Sequence, residues 1–219
     1  MDETVRDIFT RFNKNLSPAS RQEIRNARFT GPFITLSEEL ADDPFWVAST
    51  LVTPASVRRM KDVEFVSDLL IGMMYGPQAG NAATLDRYYE RLEGFRDDGR
   101  IPEQSELRKI FIETRESVHR ILPEIKGNRW GNRTDFYSLF VAIAEVEQGG
   151  ATSRGKEGKM REWLLSFSER VNDRLKDERK RASEDVVEYV RAVEKGANDK
   201  SRRTARHRIL TKAALDIFE

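Results

Sequence analysis

The stretch "TDFYSLFVAIAEVEQGGATSRGKE", residues 134–157, decides between two architectures. Its second part runs G-x-x-x-x-G-K from Gly150 to Lys156, then carries Glu157 where a phosphate-binding loop has Ser or Thr. Such a loop needs a strand that delivers a Gly-rich turn to a helix N-terminus, so that backbone N–H groups surround phosphate and a hydroxyl holds magnesium. A parallel sheet would then organise the chain. The residues ahead of the glycines have helical character instead, and "TDFYSLFVAIAEVE" reads as a mostly buried helix. Glu157 also places a negative charge where the hydroxyl is required, and no hydrophobic strand ending in Asp follows. The stretch is expected to be helix, flexible loop and helix, with no nucleotide site.

Helical periodicity extends outward from there in both directions. Between Pro102 and Pro123 the residues Leu107, Ile110, Phe111, Val118, Ile121 and Leu122 recur at three- and four-residue steps, and the prolines frame that helix. Phe65, Val66, Leu69, Leu70 and Met73 mark another, Leu85, Tyr88, Tyr89 and Leu92 the next, with the turn chemistry of "GPQAGN" between them. Ser17 with Pro18 predicts the start of a helix running toward Arg28, and Thr35 with Glu38 predicts a capping box. A long charged helix is expected from about Glu157, broken near Ser183, and a last one over roughly residues 200–218. No alternating run reads as a strand. The expected fold is all-α, an irregular bundle of about nine to eleven helices, with residues 34–219 forming a helical domain packed as one unit with residues 1–33.

Composition narrows the chemistry. The 219 residues contain no Cys, which excludes disulfides and thiolate zinc sites. With 38 Lys and Arg against 37 Asp and Glu, the net charge of +1 confines any nucleic-acid surface to a local patch. No apolar run approaches the length that crosses a bilayer, and the expectation is a soluble, cytoplasmic protein without a membrane partner. The two histidines, His119 and His207, lie far apart and lack the carboxylate spacing of a helical metal site, so His119 reads as a half-exposed structural residue. Asp42 with Asp43 and Asp97 with Asp98 sit where acids solvate helix ends and turns. No catalytic residue, metal ligand or cofactor site is assigned.

Positive charge is distributed more informatively. Residues 195–212 hold Lys195, Lys200, Arg202, Arg203, Arg206, Arg208 and Lys212 against the single acid Asp199. At 100° per residue, Arg202, Arg203 and Arg206 project along the stripe that continues as Ile209, Leu210, Ala213, Ala214 and Ile217. That face presents guanidinium groups either to phosphate in a groove or to acids of neighbouring helices. A second stretch, "KGNRWGNR", carries Lys126, Arg129 and Arg133 without an acid, and Arg129, Asn132 and Arg133 surround a helix N-terminus suited to a phosphate. Trp130 in its middle reads equally as a core plug. Arg154, Lys156, Lys159 and Arg161 form a third stretch with the character of a solvated surface.

The run "IFTRFNKNLSPASRQEIRNARFTGPF", residues 8–33, resembles the segment that follows the catalytic core in bacterial proteins of the GmrSD type, ParB-like nucleotide-dependent restriction and anti-phage proteins. The matching positions are Phe9, Arg11, Asn13, Leu16, Ser17, Glu23, Arg25, Asn26, Ala27, Gly31 and Phe33. Weaker similarity continues through "RRMKDVEFVSDLL", "LDRYYERLE" and "GANDKSRRTARHRIL". The family's Asp-Gly-Gln-Gln-Arg motif and its HNH nuclease domain are absent from these residues. The resemblance therefore implies the helical half alone, an excised piece or a naturally short relative, that packs on a nucleotide-dependent ParB-like core domain or subunit and helps hold DNA or couples DNA binding to that core. Phe9, Phe12 and Leu16 would favour a homodimer in isolation. Two alternatives stand beside this: an interaction scaffold whose arginines pair with acids of a partner, and an autonomous NTP-binding enzyme using the loop at 150–157.

Overall fold

Residues 134–157 fold as the C-terminal bulk of one helix, a glycine-containing loop and the start of another. The computed structural model describes residues 19–93 and 103–219, and among the described residues there are eleven α-helices and no strand. In chain order these are α1 (Arg21–Arg28), α2 (Pro32–Ala41), α3 (Phe45–Ala48), α4 (Pro54–Val57), α5 (Lys61–Tyr75), α6 (Ala82–Leu92) and α7 (Gln104–Ile121). A 3₁₀ turn (Arg129–Gly131) then leads into α8 (Arg133–Gln148), followed by α9 (Glu157–Lys176), α10 (Glu184–Val193) and α11 (Lys200–Phe218). The Ser17–Pro18 start, the Phe9, Phe12 and Leu16 cluster and the Asp97–Asp98 pair lie outside the described residues.

Helix α8 is the axis of the bundle because its apolar residues leave it no polar face. Phe136, Leu139, Phe140, Ala142, Ile143 and Ala144 are all buried, and so are residues between them, which is the composition of a helix enclosed on every side. Helices α5, α7 and α11 pack against it, α10 packs on α11, and α9 packs on α10. Aromatic rings join these layers: Trp46 lies 6.0 Å from Phe111 and 6.1 Å from Phe136, and Phe111 lies 4.9 Å from Phe140. The described part of the N-terminal segment belongs to the same core. Arg25 of α1 is 2% exposed and reaches Glu64 of α5 at 3.2 Å and Asp86 of α6 at 2.7 Å.

Ser20 caps α1: Glu23 N–H donates to its Oγ at 3.1 Å, and the Glu23 carboxylate accepts from the Ser20 N–H. One helix start differs from the expectation. Thr35 lies inside α2, whose N-cap is Gly31 with Pro32 at the first helical position, and its hydroxyl donates back to the Gly31 carbonyl at 3.0 Å. Proline fixes the first turn there, so the S/T-x-x-E spacing of Thr35 and Glu38 has no free helix end to cap. His119 is exposed and packs edge-on to Phe45, and Asp43 accepts from the Phe45 N–H at 2.8 Å.

Candidate nucleic-acid interface

The first turns of α11 carry the arginines singled out by periodicity, and two of the three point inward. Arg203 is 4% exposed and grips both carboxylate oxygens of Asp68 on α5, at 2.8 and 2.7 Å. It also donates to the Gln78 carbonyl at 3.2 Å, and its guanidinium lies 3.8 Å from the ring centre of Tyr137 on α8. Gly80 makes room for it: a Cβ at that position would stand 2.0 Å from Arg203 Nη2. Burial opposes the charge of Arg203, but the bonds from Asp68 outweigh it and raise the guanidinium's pKa above its usual value. The Tyr137 hydroxyl beside this pair is pushed up to about 12, chiefly by burial.

Arg206 is fully buried and has carbonyl partners rather than a carboxylate. Its Nε donates to Ser138 Oγ of α8 at 3.0 Å, and Nη1 donates to the Ala192 and Ala197 carbonyls, the latter at 2.8 Å. It thereby ties the end of α10 and the following turn onto α8, where orphan helix carbonyls need donors. Neither Arg203 nor Arg206 is available to phosphate in this arrangement; of the two readings for this stripe, internal pairing is the one realised. Arg202 is half-buried, with no ion pair among the described residues.

The "KGNRWGNR" stretch is likewise drawn inward. Trp130 is fully buried and its indole donates to the Leu164 carbonyl at 3.3 Å, so it is the plug that pins the loop to α9. Arg129 lies with Nε 3.4 Å from the Asp135 carboxylate and donates from Nη1 to Asn172 Oδ1 at 2.9 Å. Burial raises the Asp135 carboxyl's pKa despite that cation, and the Tyr189 hydroxyl donates to it at 2.8 Å. Arg133 donates to the Leu51 carbonyl and stacks over Phe65, 5.2 Å from the ring centre. Asn132 alone of the three candidates is exposed, and its side chain caps α8 by accepting from the Thr134 N–H at 2.9 Å.

In the loop that resembles a phosphate cradle, Ser153 and Lys156 have structural partners. Lys156 donates to the Phe218 carbonyl at the end of α11, Ser153 donates to Glu147 at 2.6 Å, and helix α8 rather than a strand enters the loop. Arg161 donates to the Ile121 and Arg120 carbonyls at 2.6 and 2.8 Å, closing the end of α7. Gly150 and Gly155 have φ of 97° and 78°, which lets the chain reverse twice between α8 and α9. Among the described residues there is no group of three or more His, Asp or Glu that could hold a metal ion.

A basic surface that sequence reading passed over lies at the far end of α9. Residues 174–181, "RLKDERKR", hold five cations against two acids. The Arg174 guanidinium donates to the Lys180 carbonyl at 2.7 Å, and the Lys180 ammonium pairs with Asp173, so the segment folds back on the end of its own helix. Lys176, Arg179, Lys180 and Arg181 are left exposed. The bond from Arg129 to Asn172 sets this segment beside the 126–132 loop, where Lys126 and Asn132 are also exposed. Interleaved acids hide the run from a count of net charge; the fold-back that groups its cations depends on Arg174 and Asp173. No helix among the described residues is long and apolar enough to cross a membrane. No protein-family model, curated protein or solved structure matches this chain.

Proposed function

We propose that this chain is a non-catalytic, all-α module that holds a nucleic-acid backbone at its basic end, in the manner implied by its resemblance to the helical region of GmrSD-type restriction and phage-defence proteins. The observation that carries the reading is the placement of exposed Lys176, Arg179, Lys180 and Arg181 beside exposed Lys126 and Asn132 at one end of the bundle. Exposed cations grouped without a buried acceptor suit phosphate contacts, which position a duplex without reading its sequence. The reading moves the contact from the arginines of α11 to the end of α9. Anisotropy of a labelled DNA duplex tests it: Lys180→Glu with Arg181→Glu weakens binding about tenfold or more, whereas Arg202→Ala changes it little. Equal affinity of the double variant and the native chain refutes it.

A second reading, a scaffold that docks on a ParB-like core, rests on a different observation. Ile24 of α1 is 55% exposed and Val57 of α4 is 36% exposed. The Ser20 hydroxyl donates to the Arg59 carbonyl at 2.9 Å, and Arg59 approaches Glu23 at 3.5 Å, so these apolar side chains belong to neighbouring elements of one surface. Light scattering of the chain mixed with a ParB-like core domain separates the readings: a stable complex lost in Ile24→Asp favours the scaffold.

A further inference from the structure

A groove of about 640 Å³ lies between α9, α10 and α11. Its floor is apolar: Ile209, Ala213 and Ile217 repeat at four-residue steps along α11, a ladder roughly 12 Å long, and Trp163 of α9 closes one side. Trp163 is the half-buried member of three tryptophans, with Trp46 and Trp130 at 1% and 0% exposure, and it stacks on Phe167 at 4.8 Å. The rim is acidic. Glu184, Asp185 and Glu188 come from α10 and Asp216 from α11, against Arg208 and Lys212. Arg208 is engaged by Glu188, which leaves Glu184, Asp185 and Asp216 facing the single cation Lys212.

We propose that this groove docks a basic amphipathic helix of a partner protein. An aliphatic side chain of that helix would enter between Trp163 and Ile217, and lysine or arginine residues one turn to either side would meet Glu184 and Asp216. The repeat of the floor matches the i, i+4 spacing of helix anchors, which is how a helix is read in a groove. The sign of the rim selects the partner: a cationic helix gains on approach, and an acidic one meets a rim in which carboxylates outnumber cations. This inference is independent of the nucleic-acid reading, since it uses none of the same residues and calls for the opposite charge in the ligand.

The test uses the full chain and two synthetic peptides, an amphipathic Leu/Lys helix and its Leu/Glu counterpart. The Leu/Lys peptide is expected to shift and quench tryptophan emission saturably, because Trp163 is the accessible indole, and Trp163→Phe removes the optical change while calorimetry still detects binding. Asp216→Lys combined with Glu184→Gln weakens binding about tenfold. A lysine near the end of α11 suits the helix dipole, and Gln keeps the size of Glu while giving up its favourable charge in the first turn of α10. A control variant, Glu106→Lys with Glu113→Lys on exposed positions of α7, leaves binding unchanged. The proposal is overturned by an absent emission change, by equal binding of the Leu/Glu peptide, or by equal loss in the α7 variant. It is overturned too if light scattering shows that the groove variant dissolves a dimer of this chain.

Discussion

Arg203 and Arg206 lie one turn apart on α11, yet their burial is balanced differently. Arg203 faces a carboxylate, so removing its charge leaves the buried Asp68 carboxyl without its counter-charge, and no other cation among the described residues is bonded to it. Arg206 donates to neutral carbonyls and one hydroxyl, so its loss breaks hydrogen bonds but no directly bonded ion pair. Arg203→Met is therefore expected to cost about 3–5 kcal/mol and Arg206→Met about 1–3 kcal/mol, read from chemical denaturation midpoints. Adding Asp68→Leu to Arg203→Met recovers most of the loss, because an apolar pair replaces an orphaned charge. His207 supplies a pH dependence of its own. Burial pushes its pKa below the usual 6.5, and Glu145, 3.2 Å from its Nε2, pulls the other way without prevailing. The unfolded chain then binds the proton more readily, so this stability is present above about pH 6.5 and is lost as pH falls toward the folded value. Denaturation of His207→Gln should show a flatter dependence between about pH 7 and 5 than the native chain; an unchanged slope would assign the effect elsewhere.

Helices were the legible level of this chain, and helix ends were less so. The apolar steps of α5, α6, α7, α8 and α11 mark their helices from sequence because burial of one stripe, or of every side for α8, leaves a periodic record. Caps leave a shorter record that neighbours can override: Pro32 displaces the box expected at Thr35. The candidate site was legible only in part for the same reason. Angular position along α11 correctly turned Arg203 and Arg206 toward the apolar stripe, but no spacing rule names Asp68, which is 135 residues away in sequence and supplies the partner. Asn132 is where element and site separate experimentally. It caps α8, so Asn132→Ala is expected to lower stability by about 1 kcal/mol. Asn132→Asp keeps the cap and adds a negative charge to the proposed phosphate surface. Thermal melts that fall for Ala and hold for Asp, together with duplex binding that weakens for Asp and holds for Ala, distinguish the two roles.

At the scale of the whole molecule, charge organises what the fold leaves exposed. A net charge of +1 supplies almost no long-range attraction to a polyanion, and at physiological salt fields fade over about 8 Å. Any nucleic-acid affinity must come from side chains in contact, and their number sets the salt dependence. Lys176, Arg179, Lys180, Arg181 and Lys126 are the exposed cations of the basic end, with Lys180 shared by Asp173. If about four of them displace counterions from duplex DNA, log K falls against log salt with a slope of about −3 to −4. Burial of Arg129, Arg203 and Arg206 makes the distinction sharp, since the six arginine and asparagine positions first suggested by sequence would have required a different set of variants to flatten the line. Neutralising Lys126 or Arg179 singly should reduce the slope by about 1, while Arg202→Ala should leave it unchanged. A slope near zero, or one altered by Arg202→Ala and not by the α9 variants, would place the contact elsewhere on the bundle.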